Sequence, residues 1–364
     1  MRFFTYFYDD EIEHLFYQKP QNFNKYSNSE LLSYGLGATL YMPATRLNIH
    51  QDILSKKHVG LTSLVIDLED AVGDNEVGAA EKLLIKELLK LHGELIKQFL
   101  SIEDFPLMFI RIRNLEQLKR VIEQLGDACQ LLTGAVLPKF SADSGKELLR
   151  EIKSIHTDEH PFYAMPILES SRIIHKETRI DELMKIKRLL DEYRDNILNV
   201  RIGATDFSGL YGIRRNIDTT VYDIVVLRDC IGDIINVFQR SSCPYVISGP
   251  VWEYFKTDNL EGFIREIRMD IANGLTGKTI IHPSHIKGVQ ALNVVSFEQY
   301  IDACNIVNAA TGDLGVMKSD FSNKMNEIKP HYYWARKVIL KSQLYGVLND
   351  EFTNIDIIQK EVYA

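Results

Sequence analysis

Two carboxylates close apolar runs in this chain of 364 residues: Glu169 in PILES and Asp206 in IGATDFSG. A carboxylate in such a place is costly unless it is paired, hydrogen-bonded or coordinated. Two hard oxygen donors from neighbouring strand ends, with the other positions left to water and substrate, suit Mg2+, which dehydrates reluctantly. A cation held this way polarises a carbonyl and stabilises an enolate. The same positions also suit a helix cap at Glu169 and the start of a Ser/Gly turn at Asp206.

The segment IDLEDAV sets Asp67, Glu69 and Asp70 at the end of another apolar run, and these three acids need cationic partners. Arg111, in FIRIRN, ends the next run and carries a planar fork that binds a carboxylate at two points. Lys139 and Arg46 add to that positive field and make candidate substrate contacts with Arg111. A structural ion-pair network under the loops would use the same residues. In GLTGKTIIHPSHI the lysine opens a strand instead of a helix, so the segment is no phosphate loop. His282 there suits acid–base work or a local hydrogen bond.

These groups must be positioned by the elements between them. Eight short apolar runs read as strands: Ala38–Met42, Ser63–Leu68, Leu107–Ile112, Gly134–Leu137, Phe162–Leu168, Val200–Gly203, Tyr245–Ser248 and Lys278–Ile281. Stretches with apolar residues at spacings of three and four separate them: Ala79–Leu100, Leu115–Leu125, Gly145–Ile155, Ile180–Tyr193, Thr219–Phe238 and Leu260–Ala272. Such alternation fits a (β/α)8 TIM barrel or a doubly wound sheet. Polar residues after most of the strands favour the barrel, whose strand ends converge on one face. Residues 1–36 read as an N-terminal arm and 37–290 as the barrel. Residues 291–364 read as a C-terminal helical extension, with helices at Phe297–Ala310 and Tyr332–Leu344.

A net charge of -8 argues against a broad nucleic-acid surface, which needs a concentrated positive face. Cys129, Cys230, Cys243 and Cys304 form no CxxC pair and read as reduced thiols. Asp9, Asp10 and Glu11 interrupt the aromatic N-terminus before a signal core forms, and charges break Tyr222–Phe238 as a membrane span. The expectation is a cytoplasmic protein.

Taken in order, the segments resemble the citrate lyase beta-chain, malyl-CoA lyase and HpcH/HpaI aldolase superfamily. LYMPATR is similar to its LFVPGNR, IDLEDAV to LDLEDAV, FIRIRN to VRIN, and PILESS to its IET segment. IGATDFSG is similar to its GAEDL or GPNDLS, and GLTGKTIIHPSHI to GFDGKWVIHPSQI. The matches run from about Leu40 to Ile286. LGATLYMPATR most resembles the citrate-lyase-like branch found beside tellurium-resistance genes.

The resemblance implies a Mg2+-dependent carbon–carbon lyase that cleaves or forms a 3-hydroxy acyl thioester or related oxo acid through a stabilised enolate. Glu169 and Asp206 fall on its metal ligands, and Arg111 falls on the arginine for the substrate carboxylate. Glu69 and Asp70 fall on acids that orient metal-bound water and that arginine. Glu327, in KMNEIKPHYYWARKVI, falls where acyl-CoA lyases carry a catalytic Asp supplied by a neighbouring subunit, which implies a homo-oligomer, a trimer or hexamer. The chain departs from the pattern at Thr205, Arg113 and Asp70, and the last disfavours the base of the pyruvate-aldolase branch. A free 2-oxo-acid aldolase without CoA and a non-catalytic metal-dependent binding barrel are the competing expectations.

Overall fold

The structure is a computed structural model that describes residues 1–240, 243–255 and 259–360. Its apolar runs, too short for buried helices, become eight strands of one parallel sheet. They are β1 (Ala38–Pro43), β2 (Ser63–Asp67), β3 (Leu107–Arg111), β4 (Leu132–Leu137), β5 (Tyr163–Leu168), β6 (Val200–Ile202), β7 (Ile247–Ser248) and β8 (Lys278–Ile280). From β1 to β7 each strand pairs with the next, and β8 pairs with β1, with Thr279 beside Thr39. A bridge between Gly249 and Lys278 joins β7 to β8, with the Thr279 N–H donating to the Gly249 carbonyl at 3.1 Å. That return makes the sheet a barrel and removes the doubly wound alternative.

The helices between strands are set by their caps and stripes. Asn114 accepts from the Gln117 N–H to start Leu115–Leu125, whose Leu118, Val121 and Leu125 lie buried on one face. Ser141 caps Ala142–Ile155 in the same way. The helix expected from Thr219 begins instead at Val225. Asp223 accepts from both the N–H and the hydroxyl of Thr220 at 2.8 Å, which folds the intervening residues into a turn.

Chain contacts divide the molecule into two units, Met1 with Asn24–Ile286 and Arg2–Phe23 with the segment from Lys287 onward. In the second, strand Phe16–Gln18 pairs antiparallel with Val347–Leu348. Helices Phe297–Asn308 and Ile328–Tyr345 share a core of Ala303, Ile306, Ile328, Ala335 and Val338. A ribbon of Val316–Lys318 and Met325–Glu327 precedes the longer helix. Among the described residues no helix is long and apolar enough to cross a membrane.

Candidate active site

Asp67 and Arg111 are the last residues of β2 and β3 and stand beside each other in the register. Arg111 donates from Nε to Asp67 Oδ1 at 2.6 Å and from Nη2 to Oδ2 at 2.5 Å. Its Nη1 reaches Asp70 Oδ2 at 3.1 Å and Glu69 Oε2 at 3.2 Å. Asp67 also accepts the N–H groups of Glu69 and Ala71, at 2.9 and 3.1 Å. Arg113 donates to the carbonyls of Leu68, Glu69 and Val72 at 2.9, 3.1 and 2.7 Å. The acidic loop after β2 is thus clamped by two arginines of β3 and its exit.

Lys139 follows β4 in a left-handed conformation with φ 48°, uncommon for a residue with a side chain. The turn aims its N–H at Glu169 Oε1, 2.7 Å away. Its ammonium bonds Glu69, reaches Asp70 Oδ1 at 3.2 Å and lies 4.0 Å from Asp206 Oδ1. Lys139 therefore joins the acidic loop to the Glu169–Asp206 pair. Burial opposes its charge, but Glu69 and Asp70 outweigh that and raise its pKa.

Glu169 directly follows β5 and is only 4% exposed. Asp206 sits in the first turn of Ala204–Leu210, the short helix after β6. Between them Gly203 has no Cβ, and one built there would overlap Glu169 Oε2 and Cβ. Burial, then the charge of Asp206, pushes the Glu169 carboxyl up to about 8. Burial and the charge of Asp70 also raise Asp206. Glu69 is raised by burial and by its hydrogen bond to Asp70. Burial works against Asp70, yet that same bond and the charges of Arg111 and Lys139 hold it low. Their contact thus favours the neutral form of Glu69 and the ionised form of Asp70.

Other sequence candidates lie elsewhere. Arg46 pairs with Asp52 through Nε at 3.0 Å and Nη2 at 2.6 Å, and is not brought to the acids. His282 Nδ1 meets Ser284 Oγ at 2.8 Å and its ring stacks on Phe255, a local arrangement at the loop after β8. Glu327 belongs to the second unit, where it precedes helix Ile328–Tyr345 as its N-cap. Sequence reasoning did not single out Gly203, Tyr41 or Arg201. The signal for Arg201 was an arginine inside the three-residue strand β6.

The donor chemistry fits a divalent cation. Among the described residues no group of three or more His, Cys, Asp or Glu forms a metal cluster. The candidate is therefore an open pair, Glu169 and Asp206, of the kind that leaves Mg2+ most of its water. Burial outweighs the charges of Arg111 and Lys139 at both carboxyls, so each is harder to ionise than in water, and a bound cation would favour the ionised forms.

A family model for the C–C bond lyase of the TIM-barrel fold matches residues 30–347. The chain belongs to this carbon–carbon lyase family. It is 25% identical over 264 residues to the mitochondrial citramalyl-CoA lyase of Rattus norvegicus, covering 70% of each chain. The Homo sapiens citramalyl-CoA lyase is 23% identical over 264 residues, covering 70% of this chain and 69% of the human one. Among solved structures, CitE from Mycobacterium tuberculosis, in complex with magnesium, acetoacetate and coenzyme A, superposes with TM-score 0.56. The identity is 19%, and the match covers 85% of this lyase-family chain and 99% of CitE.

Proposed function

We propose that this chain is a Mg2+-dependent lyase acting on a 3-hydroxy acyl thioester or related oxo acid. The observation that carries the reading is the Glu169–Asp206 pair at adjacent strand ends of the barrel mouth, with Glu169 raised by burial and the charge of Asp206, and Asp206 by burial and the charge of Asp70. A cation on these two residues supplies Lewis-acid polarisation of a substrate carbonyl. The thioester class is supported by the citramalyl-CoA lyases.

The chain's own residues prepare that chemistry. The Lys139 N–H holds Glu169 Oε1 in place, and its ammonium lies beside Asp206. Glu69, its carboxyl raised by burial, bonds the Lys139 ammonium and lies next to Asp70. Arg111 and Lys139 offset the charges of Asp67, Glu69 and Asp70 and so hold the acidic loop in place beside the Glu169–Asp206 pair. Glu327 serves as the base of this proposal, brought by association of copies in a homo-oligomer.

Purified protein is incubated with citramalyl-CoA, malyl-CoA and the corresponding free hydroxy acids, and 2-oxo-acid release is followed as its hydrazone. The expected result is thioester cleavage that EDTA abolishes and Mg2+ restores. Cleavage of the free acids alone would move the reading to a CoA-independent aldolase. No cleavage of either class would overturn it.

A further inference from the structure

Helices Ile49–Leu54 and Val77–Gln98, which follow β1 and β2, pack against each other and border a groove of about 860 Å3. None of its lining residues belongs to the candidate active site. The longer helix gives it Lys82, Lys86, Lys90 and Lys97, and Leu54, Ile85 and Leu89 supply its apolar surface. The chain as a whole carries a net charge of -8, so the groove is a local reversal of sign. Acids balance only part of it. Lys90 meets Glu87 at 3.2 Å and Lys97 meets Glu94 at 3.1 Å, whereas Lys82 and Lys86 pair with no carboxylate among the described residues. Glu87 is also taken up by His50 Nδ1 at 2.5 Å.

The pattern along the longer helix is regular. At about 3.6 residues per turn, Lys82, Lys86, Lys90 and Lys97 fall within roughly a quarter of its circumference. Leu89 and Ile96, 44% and 59% exposed, border them on one side. Gly93 stands in the middle of this face, between Leu89 and Lys97 on the same row. Glycine inside a helix costs stability, and a Cβ built at Gly93 meets no atom within 4 Å, so no packing among the described residues requires it. Its effect is to leave the face bare where another chain can come close.

We propose that this groove docks an acidic amphipathic helix of a partner protein. Lys82, Lys86 and Lys90 repeat at roughly 6 Å along the axis, the spacing that acids at every fourth residue of a second helix present. From Lys82 to Lys97 the face runs roughly 22 Å, room for about four turns of such a helix. Its apolar residues rest on Leu54 and Leu89, and its acids supply the counter-charge that Lys82 and Lys86 lack. A nucleic-acid strand would meet the lysines but leave Leu89 and Ile96 in water.

The test is fluorescence anisotropy of the full-length protein with a labelled helical peptide of roughly 16 residues, carrying glutamates at every fourth position beside a leucine face. The same peptide with glutamines and a labelled oligonucleotide of equal charge are the controls. Wild type is expected to bind the glutamate peptide about tenfold or more tightly than either control. Lys82→Glu with Lys86→Glu should weaken that binding about tenfold or more, and Gly93→Leu, which alters no charge, should weaken it by a comparable factor. Gly93→Ala should raise the Tm of the free protein. No peptide binding by wild type, equal affinity in the double variant, or retained affinity in Gly93→Leu would overturn the proposal. Tighter binding of the oligonucleotide would overturn it in favour of nucleic acid, and self-association lost in the double variant would overturn it in favour of a second copy. The readout uses neither Mg2+ nor turnover, so its failure is separable from failure of the Glu169–Asp206 assignment.

Discussion

Arg111 and Asp67 meet side-on at the mouth of the barrel, with Nε to Oδ1 at 2.6 Å and Nη2 to Oδ2 at 2.5 Å. Both residues are buried, so the pair is a structural clamp that fixes the acidic loop through the N–H groups of Glu69 and Ala71. Removing one partner of a buried pair leaves the other charge uncompensated. Asp67→Asn should cost about 3 kcal/mol of stability, at the low end for such pairs because Asp70 and Glu69 still touch Arg111. Urea unfolding of the variant checks this, and an unchanged midpoint would show that the pair carries no such clamp.

Gly203 leaves the space that Glu169 occupies. Gly203→Ala, whose Cβ would overlap the Glu169 carboxylate, should displace it and weaken Mg2+ binding by roughly 10- to 100-fold, the range for residues that orient metal ligands. Calorimetric Mg2+ titration of the variant reads the effect. Wild-type affinity would mean that Glu169 is free to move without consequence.

The pH dependence of the metal-free protein follows from Glu169, whose carboxyl rises from 4.5 to about 8 on folding. Between those values the folded chain keeps a proton that the unfolded chain has released, so this group makes stability fall as pH rises through the window. The difference in Tm between wild type and Glu169→Gln should therefore shrink or reverse from low to high pH. Saturating Mg2+ should remove that trend in wild type, because binding requires the ionised carboxylate. Parallel Tm curves for the two proteins across the window would contradict the assignment of the shift to Glu169.

Much of the barrel was legible because its signals are local. Helix Leu115–Leu125 carries its start and stop in Asn114 and Gly126 and its face in Leu118 and Val121, so both ends agree with the sequence reading. Glu69, Asp70, Arg111, Lys139, Glu169 and Asp206 are drawn together because each ends or closely follows a strand of one parallel barrel. Arg46 is not, since Asp52, six residues on, captures it first. Less legible were features made by distant residues. The left-handed turn at Lys139 depends on Glu169, and the hydrogen bonds of Arg201 depend on Thr39 and Thr279 from other strands. The pairing of Phe16 with Leu348 joins segments too far apart for any periodicity to reveal.

The account turns on Glu169 and Asp206 holding Mg2+, and one measurement tests this most directly. Mg2+ is titrated calorimetrically into wild type, Glu169→Ala and Asp206→Ala at a pH above the Glu169 value of about 8, with circular dichroism confirming that all three are folded. The account predicts binding to wild type and none to either variant. Retained Mg2+ affinity in both folded variants would contradict it.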